Sequence, residues 1–413
     1  MPAMRWRPNS RKPWPTRSPR SRTGSSQTNK RYPLACGIGS PGVQAGRTAL
    51  LYLFGQYQMK KQIIASGLLV LVGGTSSAQS NVTLYGIVDV GLRYGNAATS
   101  NANTPSVGSG QQRASRFGFR GTEELGGGLS ASFQLESGFN ADDGTLGYGN
   151  RLFGRQSWVG LNGGFGSIRF GRQTTAVYDV LFTVDPFVIN GTGNAQRVFA
   201  YGLGKADPLS RADNAVTYSI RLHNGIGFYA GHAFGEKAGS FASNSSDFAS
   251  VSYVAGAWNV RAAYQHADGV DLGAASTPLG ALVGPAHLGS ANVNVKSAVV
   301  GAVYDLGPVK FHGIYGDTRI GNGGALAMRS YMTGVTVGAG RGTMCASWNR
   351  NDIREFRNGV SDQYALDYTY PLSKRTFLYA ASGYTKNGGG VRLNSARNGF
   401  SGREVETGVR HTF

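Results

Sequence analysis

Leu129-Ser130-Ala131-Ser132-Phe133-Gln134-Leu135-Glu136 alternates without a break: Leu129, Ala131, Phe133 and Leu135 share one face, and Ser130, Ser132, Gln134 and Glu136 share the other. Period two, with one apolar and one polar face, is the mark of a half-buried strand. The rhythm recurs along the chain. Val216, Tyr218, Ile220 and Leu222 oppose Thr217, Ser219 and Arg221. Trp258, Val260, Ala262 and Tyr264 oppose Asn259, Arg261 and Gln265, while Tyr364, Leu366, Tyr368 and Tyr370 oppose Gln363, Asp367 and Thr369. A soluble antiparallel sheet shows the same pattern, so the connections must separate the two readings.

Strands are expected near 82–94, 113–124, 129–138, 152–161, 167–172, 213–222, 225–234, 248–256, 258–266, 297–306, 309–317, 329–338, 342–351, 362–371, 375–385 and 404–413, about sixteen in all. Short and long connections alternate between them. Gly126-Gly127-Gly128, Asn162-Gly163-Gly164, Asn224-Gly225, Gly307-Pro308 and Gly340-Arg341-Gly342 are tight turns of residues that tolerate positive φ or fix a bend. The stretches 95–112, 173–212 and 267–296 are long and largely polar. Transmembrane barrels of the outer membrane have this construction, with short periplasmic turns and long outer loops. Closure satisfies every backbone polar group in lipid, and an even strand count returns both ends to the periplasmic side. The expected fold is therefore all-β: a transmembrane antiparallel β-barrel of about 16 strands.

Composition agrees. The 413 residues include 63 Gly and 20 each of Tyr and Phe. Gly is dispersed among aromatics and Val, which suits many strands joined by turns. The net charge of +19 suggests nucleic acid at first sight. However, residues 1–78 hold 12 of the 41 basic residues and no acid, so the rest carries 29 basic against 22 acidic residues, a balance of +7. No nucleic-acid partner is expected, and a +7 that lines a pore would favour anions. Two cysteines, Cys36 and Cys345, and six scattered His give no metal-ligand spacing, so neither a metal nor a cofactor is expected.

Met59-Lys60-Lys61, the apolar run Ile63 to Val72 and Thr75-Ser76-Ser77-Ala78 read as an export signal over 59–78 cleaved after Ala78. Residues 1–58 are rich in Arg, Pro and Ser and show no hydrophobic period. Such a segment cannot bury enough apolar area to fold. It is expected to be an artefact of start-site choice, with a transit peptide as the alternative; the barrel domain is expected over 79–413. At the other end, Phe413, Val409 and Val405 share one face of the last strand, and Glu404, Glu406 and Arg410 share the other. A terminal Phe on an alternating strand resembles the signal that the barrel-assembly machinery reads.

Several further stretches, in order, are similar to the general porins of β-proteobacteria. They are Val82-Thr83-Leu84-Tyr85-Gly86, Ser115-Arg116-Phe117-Gly118-Phe119-Arg120-Gly121, Arg155-Gln156-Ser157-Trp158-Val159-Gly160-Leu161, Phe170-Gly171-Arg172-Gln173 and Asp213-Asn214-Ala215-Val216-Thr217-Tyr218. The resemblance covers 79–413. It implies a homotrimer in the outer membrane, among lipid and lipopolysaccharide, with the third outer loop folded into each pore. It also implies that Arg116, Arg155 and Arg211 belong to a basic constriction cluster. One departure stands out: a Pro-Glu-Phe-Gly-Gly-like turn is usual in that loop, and this chain has Val184-Asp185-Pro186-Phe187.

Independent of the resemblance, residues 173–212 are too long and too apolar for a solvated tail. Val177, Tyr178, Val180, Leu181, Phe182, Val184, Phe187 and Val188 suit packing against the inner wall, with a surface lid as the alternative. Strand parity puts Arg116 and Arg120 on one face, opposite Phe117 and Phe119, so both are expected in the lumen. Arg211 sits where the long loop rejoins the wall. Arg155 is a further candidate on a strand that alternates poorly. Opposing acids would come from Asp179, Asp185 or Asp207. The expected function is passive diffusion of small hydrophilic solutes and ions, with a preference for anions. A barrel hydrolase, a specific sugar or phosphate channel and a soluble β-protein are the competing readings. The first lacks a recognisable nucleophile motif, and the second lacks an aromatic slide or lysine ladder.

Overall fold

The computed structural model describes residues 81–96, 103–199, 209–271, 292–321, 326–395 and 397–413. The leader, its cleavage site and Asp207 lie outside these residues. The first strands are β1 (Asn81–Gly95), β2 (Thr104–Ser109), β3 (Arg116–Gly126), β4 (Leu129–Gly138), β5 (Gln156–Gly163) and β6 (Gly166–Thr174). Two helices follow, α1 (Ala176–Val184) and the four-residue α2 (Gln196–Phe199). Then come β7 (Arg211–Arg221), β8 (Ile226–Ala233), β9 (Ser246–Ala255), β10 (Trp258–Asp271), β11 (Asn292–Asp305) and β12 (Val309–Ile320). The chain ends with β13 (Leu326–Ala339), β14 (Gly342–Ile353), β15 (Val360–Pro371), β16 (Thr376–Asn387) and β17 (Gly402–Thr412).

Neighbouring strands pair antiparallel, and β1 pairs with β17 to close the sheet. The first half of β1 pairs with β3, from Asn81 opposite Thr122 to Ile87 opposite Arg116. Its second half pairs with β2, from Val90 opposite Ser109 to Gly95 opposite Thr104. β2 and β3 are two pieces of one stave, so the 17 strands form a closed barrel of 16 staves. Sequence alternation predicts a long polar connection over 95–112, and the structure places β2 within it; Thr104-Pro105-Ser106, at its start, is polar and interrupted by Pro. The break between the pieces is built around Asp89. Its carboxylate accepts the N–H groups of Gln112 (3.0 Å) and Arg113 (2.7 Å), and its own N–H donates to the Ser115 hydroxyl (3.0 Å).

The two faces are exposed the opposite way from a soluble sheet. On β17, Glu404 and Glu406 are 3% and 2% exposed, while Val405 and Val409 are 54% and 45% exposed. Leu84, Val159, Phe170, Phe228, Val300 and Leu378 continue this apolar belt around the barrel. Water would penalise such a belt, whereas hydrocarbon demands it. Tight turns join the staves at one end. Gly126, Gly127 and Gly128 all take positive φ (86°, 62° and 78°), which only Gly adopts freely in succession. The start of β1 and the end of β17 lie at this same end. Phe413 extends the closure: its N–H and C=O exchange bonds of 3.1 Å with Gly86. Its ring covers Gly86, where a Cβ would meet Cζ at 2.3 Å.

Segment 175–199 packs against buried residues of the strands. Thr175 caps α1 by accepting the Tyr178 N–H. Val177, Val180, Leu181 and Val184 then bury against Val299, Val303, Ile314 and their neighbours on β11 and β12. Each such side chain contributes roughly 1.5–3 kcal/mol on burial. Small residues make room: a Cβ on Gly301 would meet Val184 at 3.0 Å, and one on Gly334 would meet Pro186 at 2.7 Å. Farther along, Asn349 donates to Gly193 O (3.3 Å), Asn351 donates to Val198 O (2.8 Å), and Arg197 pairs with Glu404 (2.8 Å). The segment thus touches wall residues from β10 to β17.

Candidate functional site

Three of the four arginines singled out in the sequence come together around Glu136 and Tyr148. Arg155 lies one residue before β5, which explains the poor alternation of its surroundings. It is 6% exposed, donates from Nε to Glu136 Oε1 (2.6 Å) and from Nη1 to the Tyr148 hydroxyl. Arg116 opens β3; its Nε lies 3.6 Å from the other Glu136 oxygen, and its Nη1 donates to Ala114 O (3.1 Å). Arg211 opens β7; its Nε donates to Arg155 O (3.1 Å) and its Nη2 to the Tyr178 hydroxyl (3.4 Å). The Arg211 Cζ lies 4.6 Å from the Tyr148 ring centroid and 5.0 Å from that of Tyr178. A bulge just beyond, where the register slips between Gly171 and Gln173, turns this part of β7 toward the same space.

That space is a cavity of about 1260 Å³ lined by Arg113, Arg116, Arg155 and Arg211 together with Arg410 and Tyr148. Arg151 and Arg172 also reach it, both tied to Asp213 at 2.6 and 2.5 Å. A second cavity of about 580 Å³ extends toward the tight-turn end, past Trp258, Lys310 and Phe377. Arg113, Asn190 and Arg410 line both cavities and mark where they meet. Arg113 is held by donating to Phe187 O (2.9 Å) and Gln112 O (3.0 Å). Arg410 stands opposite Asp89 across the β1–β17 ladder, its Cζ 4.4 Å from the Phe377 ring centroid.

The charge balance is positive. Arg116 and Arg155 share a single carboxylate. Among the described residues Arg113, Arg211 and Arg410 form no ion pair. Burial disfavours the charge on Arg155, but Tyr148, Tyr178 and Glu136 outweigh it and hold the guanidinium protonated. Burial, reinforced by Arg410, brings Arg113 down to about 10, still protonated at neutral pH.

Other candidates fall elsewhere. Arg120 shares the face of Arg116, as parity requires, but lies four residues, about 13 Å, farther along β3. It is exposed, with its Cζ 5.2 Å from the Tyr85 ring, and does not line the arginine cavity. Asp179 pairs with Arg261 beside a separate cavity of about 460 Å³. Asp185 is buried and accepts the N–H groups of Phe187, Ile189 and Ala195 at 2.9–3.0 Å, so it clamps the long segment. Burial pushes its carboxyl up to about 6, and those N–H bonds limit the rise. Neither acid faces the three clustered arginines; that acid is Glu136, the last polar residue of the opening strand quoted above. Glu136, Tyr148, Arg113 and Arg410 escaped the sequence reading. Only Glu136 and Arg410 carried a signal, their place on a polar strand face.

Comparison with known proteins decides the family. The model of the Gram-negative porin family matches residues 65–390. This chain is a Gram-negative porin. It is similar to an outer membrane porin protein of Bordetella pertussis, 33% identical over 405 residues, 86% of this chain and 100% of that one. Outer membrane porin protein 32 of Delftia acidovorans is 32% identical over 369 residues, again 86% and 100%. Among solved structures, the anion-selective porin from Comamonas acidovorans matches with a TM-score of 0.69 at 29% identity, covering 81% of this porin and all of that chain. The closed barrel and its apolar belt place this porin in the outer membrane.

Proposed function

We propose that this porin is a passive channel for small hydrophilic solutes and ions, with a preference for anions. The observation that carries the reading is the junction of the two cavities at Arg113, Asn190 and Arg410, beside a cluster in which arginines outnumber acids. Segment 175–199 serves as the inward-folded third outer loop that narrows the lumen. Fixed guanidinium charge in a narrow pore attracts anions and repels cations. The similarity to the anion-selective porin from Comamonas acidovorans supports the same preference.

The finer parts of the reading go with it. Arg116, Arg155 and Arg211 act as the constriction cluster, while Arg120, Asp179 and Asp185 take the other roles described above. The assembly is a homotrimer seated among outer-membrane lipid and lipopolysaccharide, and Phe413 is read by the barrel-assembly machinery. Residues 59–78 act as a cleaved export signal, and residues 1–58 stand outside the functional protein. Swelling of proteoliposomes in a graded series of uncharged sugars tests the channel reading. Swelling rates that fall smoothly with sugar size are expected; swelling in none, or in one sugar alone, overturns it.

A further inference from the structure

Two glycines clear the space that Tyr148 fills. A Cβ on Gly138 would meet the Tyr148 ring at 2.3 Å, and one on Gly154 would meet the Tyr148 Cβ at 2.6 Å. Tyr148 itself has φ of 54°, a left-handed conformation that is costly for a bulky side chain. Gly149 and Asn150 follow it with φ of 76° and 64°. The loop is pinned there by Gly147 N–H donating to Gly138 O (2.8 Å). Backbone strain and two excavated neighbours thus serve one phenol. Its hydroxyl accepts from Arg155, and its ring centroid lies 5.2 Å from the Arg155 Cζ and 4.6 Å from that of Arg211.

Two guanidiniums held side by side repel each other. A carboxylate between them would hold them but would cancel the charge on which selectivity depends. A phenol supplies a hydroxyl oxygen and a π-face with no net charge. We propose that Tyr148 is a specificity-determining positioning residue: a neutral clamp that holds Arg155 and Arg211 together and adds no negative charge of its own to offset theirs. The proposal rests on the channel reading above.

The clamp has a built-in test, because a phenol can ionise. The groups around Tyr148 are Glu136 from β4, Arg116 from β3, Arg155 before β5, Arg211 from β7 and Tyr178 from α1. Arg151 and Arg172, tied to Asp213, line the same cavity. Burial opposes ionisation of Tyr148, but Arg155, Arg211 and Arg116 outweigh it and bring the phenol below its usual range. Arg155 keeps its charge throughout, while Arg113, brought down to about 10, begins to lose its charge as the pH nears that value and gives every protein the same small decline. Ionised Tyr148 would therefore subtract one positive charge from the filter.

Anion-to-cation permeability ratios are read from reversal potentials in planar bilayers, between neutral pH and about pH 9.5. The proteins are the wild type and the variants Tyr148→Phe, Tyr148→Glu and Tyr178→Phe. The wild-type ratio should fall as pH rises, by up to the roughly fivefold expected for one lost charge at close range in water. Tyr178→Phe should follow the wild type, and Tyr148→Phe should fall much less than the wild type, by the Arg113 decline alone. Tyr148→Glu should show the lowered ratio already at neutral pH. A Tyr148→Phe profile that falls like the wild type, or a Tyr148→Glu ratio equal to that of the wild type, overturns the proposal. A wild type that conducts nothing speaks against the channel reading instead.

Discussion

Replacing Arg116 and Arg211 together with Gln should lower the anion-to-cation permeability ratio at least fivefold. Both side chains line the larger cavity, and neither owns a carboxylate: Arg116 shares Glu136 with Arg155, and Arg211 forms no ion pair among the described residues. A monovalent ion about 5 Å from a guanidinium in a water-filled throat gains or loses about 0.8 kcal/mol. Screening over a Debye length of about 10 Å leaves roughly 0.5 kcal/mol. The anion gains this and the cation loses it, so each arginine contributes about 1 kcal/mol to selectivity, or roughly fivefold in the ratio. Arg113, Arg155 and Arg410 remain and blunt the combined effect, which sets the lower bound. Reversal potentials across bilayers under a salt gradient are the assay, with the largest change at low salt. The control is the pair Arg397→Gln and Arg403→Gln. Arg397 is exposed in the last outer connection, and Arg403 sits at the outer end of β17 on the face of the apolar belt, its Cζ 5.7 Å from the Tyr384 ring. An unchanged ratio in the double variant, or a larger shift in the control, refutes the placement of the charge filter.

Four further outcomes follow from the geometry. Arg120→Gln should change the ratio by less than twofold, because its charge lies about a Debye length from the cluster; a shift as large as that of Arg211→Gln in reversal potential would show that it reaches the throat. Asp185→Ala leaves three buried N–H groups without their acceptor, each worth about 1–3 kcal/mol, so the variant should form barrels whose single-channel current is noisier and more readily cut by protease within 175–199. For the native carboxyl, pushed up to about 6 by burial, the folded state binds the extra proton, so this stabilising term is full below about pH 4 and lost above about pH 6. Protection factors at Phe187, Ile189 and Ala195, taken relative to the intrinsic exchange rate at each pH, should therefore be higher at pH 5 than at pH 7; lower protection at pH 5 would reverse the sign. Deletion of Phe413 removes the ring over Gly86 and the last pair of β1–β17 bonds. Its outer-membrane level should fall under native expression, and conductance of the protein that does insert should be unchanged.

The staves were legible because both of their causes are local. Alternation in stretches such as 129–136 fixes which side chains share a face, and the glycine triplet 126–128 can hardly do anything but turn. β2 was not legible, since its pairing depends on Asp89, in the preceding strand, accepting N–H groups at the break. Parity put Arg116 and Arg120 on the correct face, but period two carries no information about depth along the pore. The acids failed for a related reason. Asp185 is spent on three loop N–H groups and Asp179 on Arg261, and no spacing in the sequence foretells which partner a folded segment will bring. Tyr148 was invisible because its role arises from a left-handed backbone and two distant glycines.

The central claim is that fixed arginine charge at the narrowest part of this barrel makes it an anion-preferring channel. The reversal potential of the wild-type protein in a potassium chloride gradient tests it most directly. The potential should lie toward the chloride equilibrium value and move closer to it as total salt is lowered. A potential at zero, or one displaced toward the potassium value, would contradict the account.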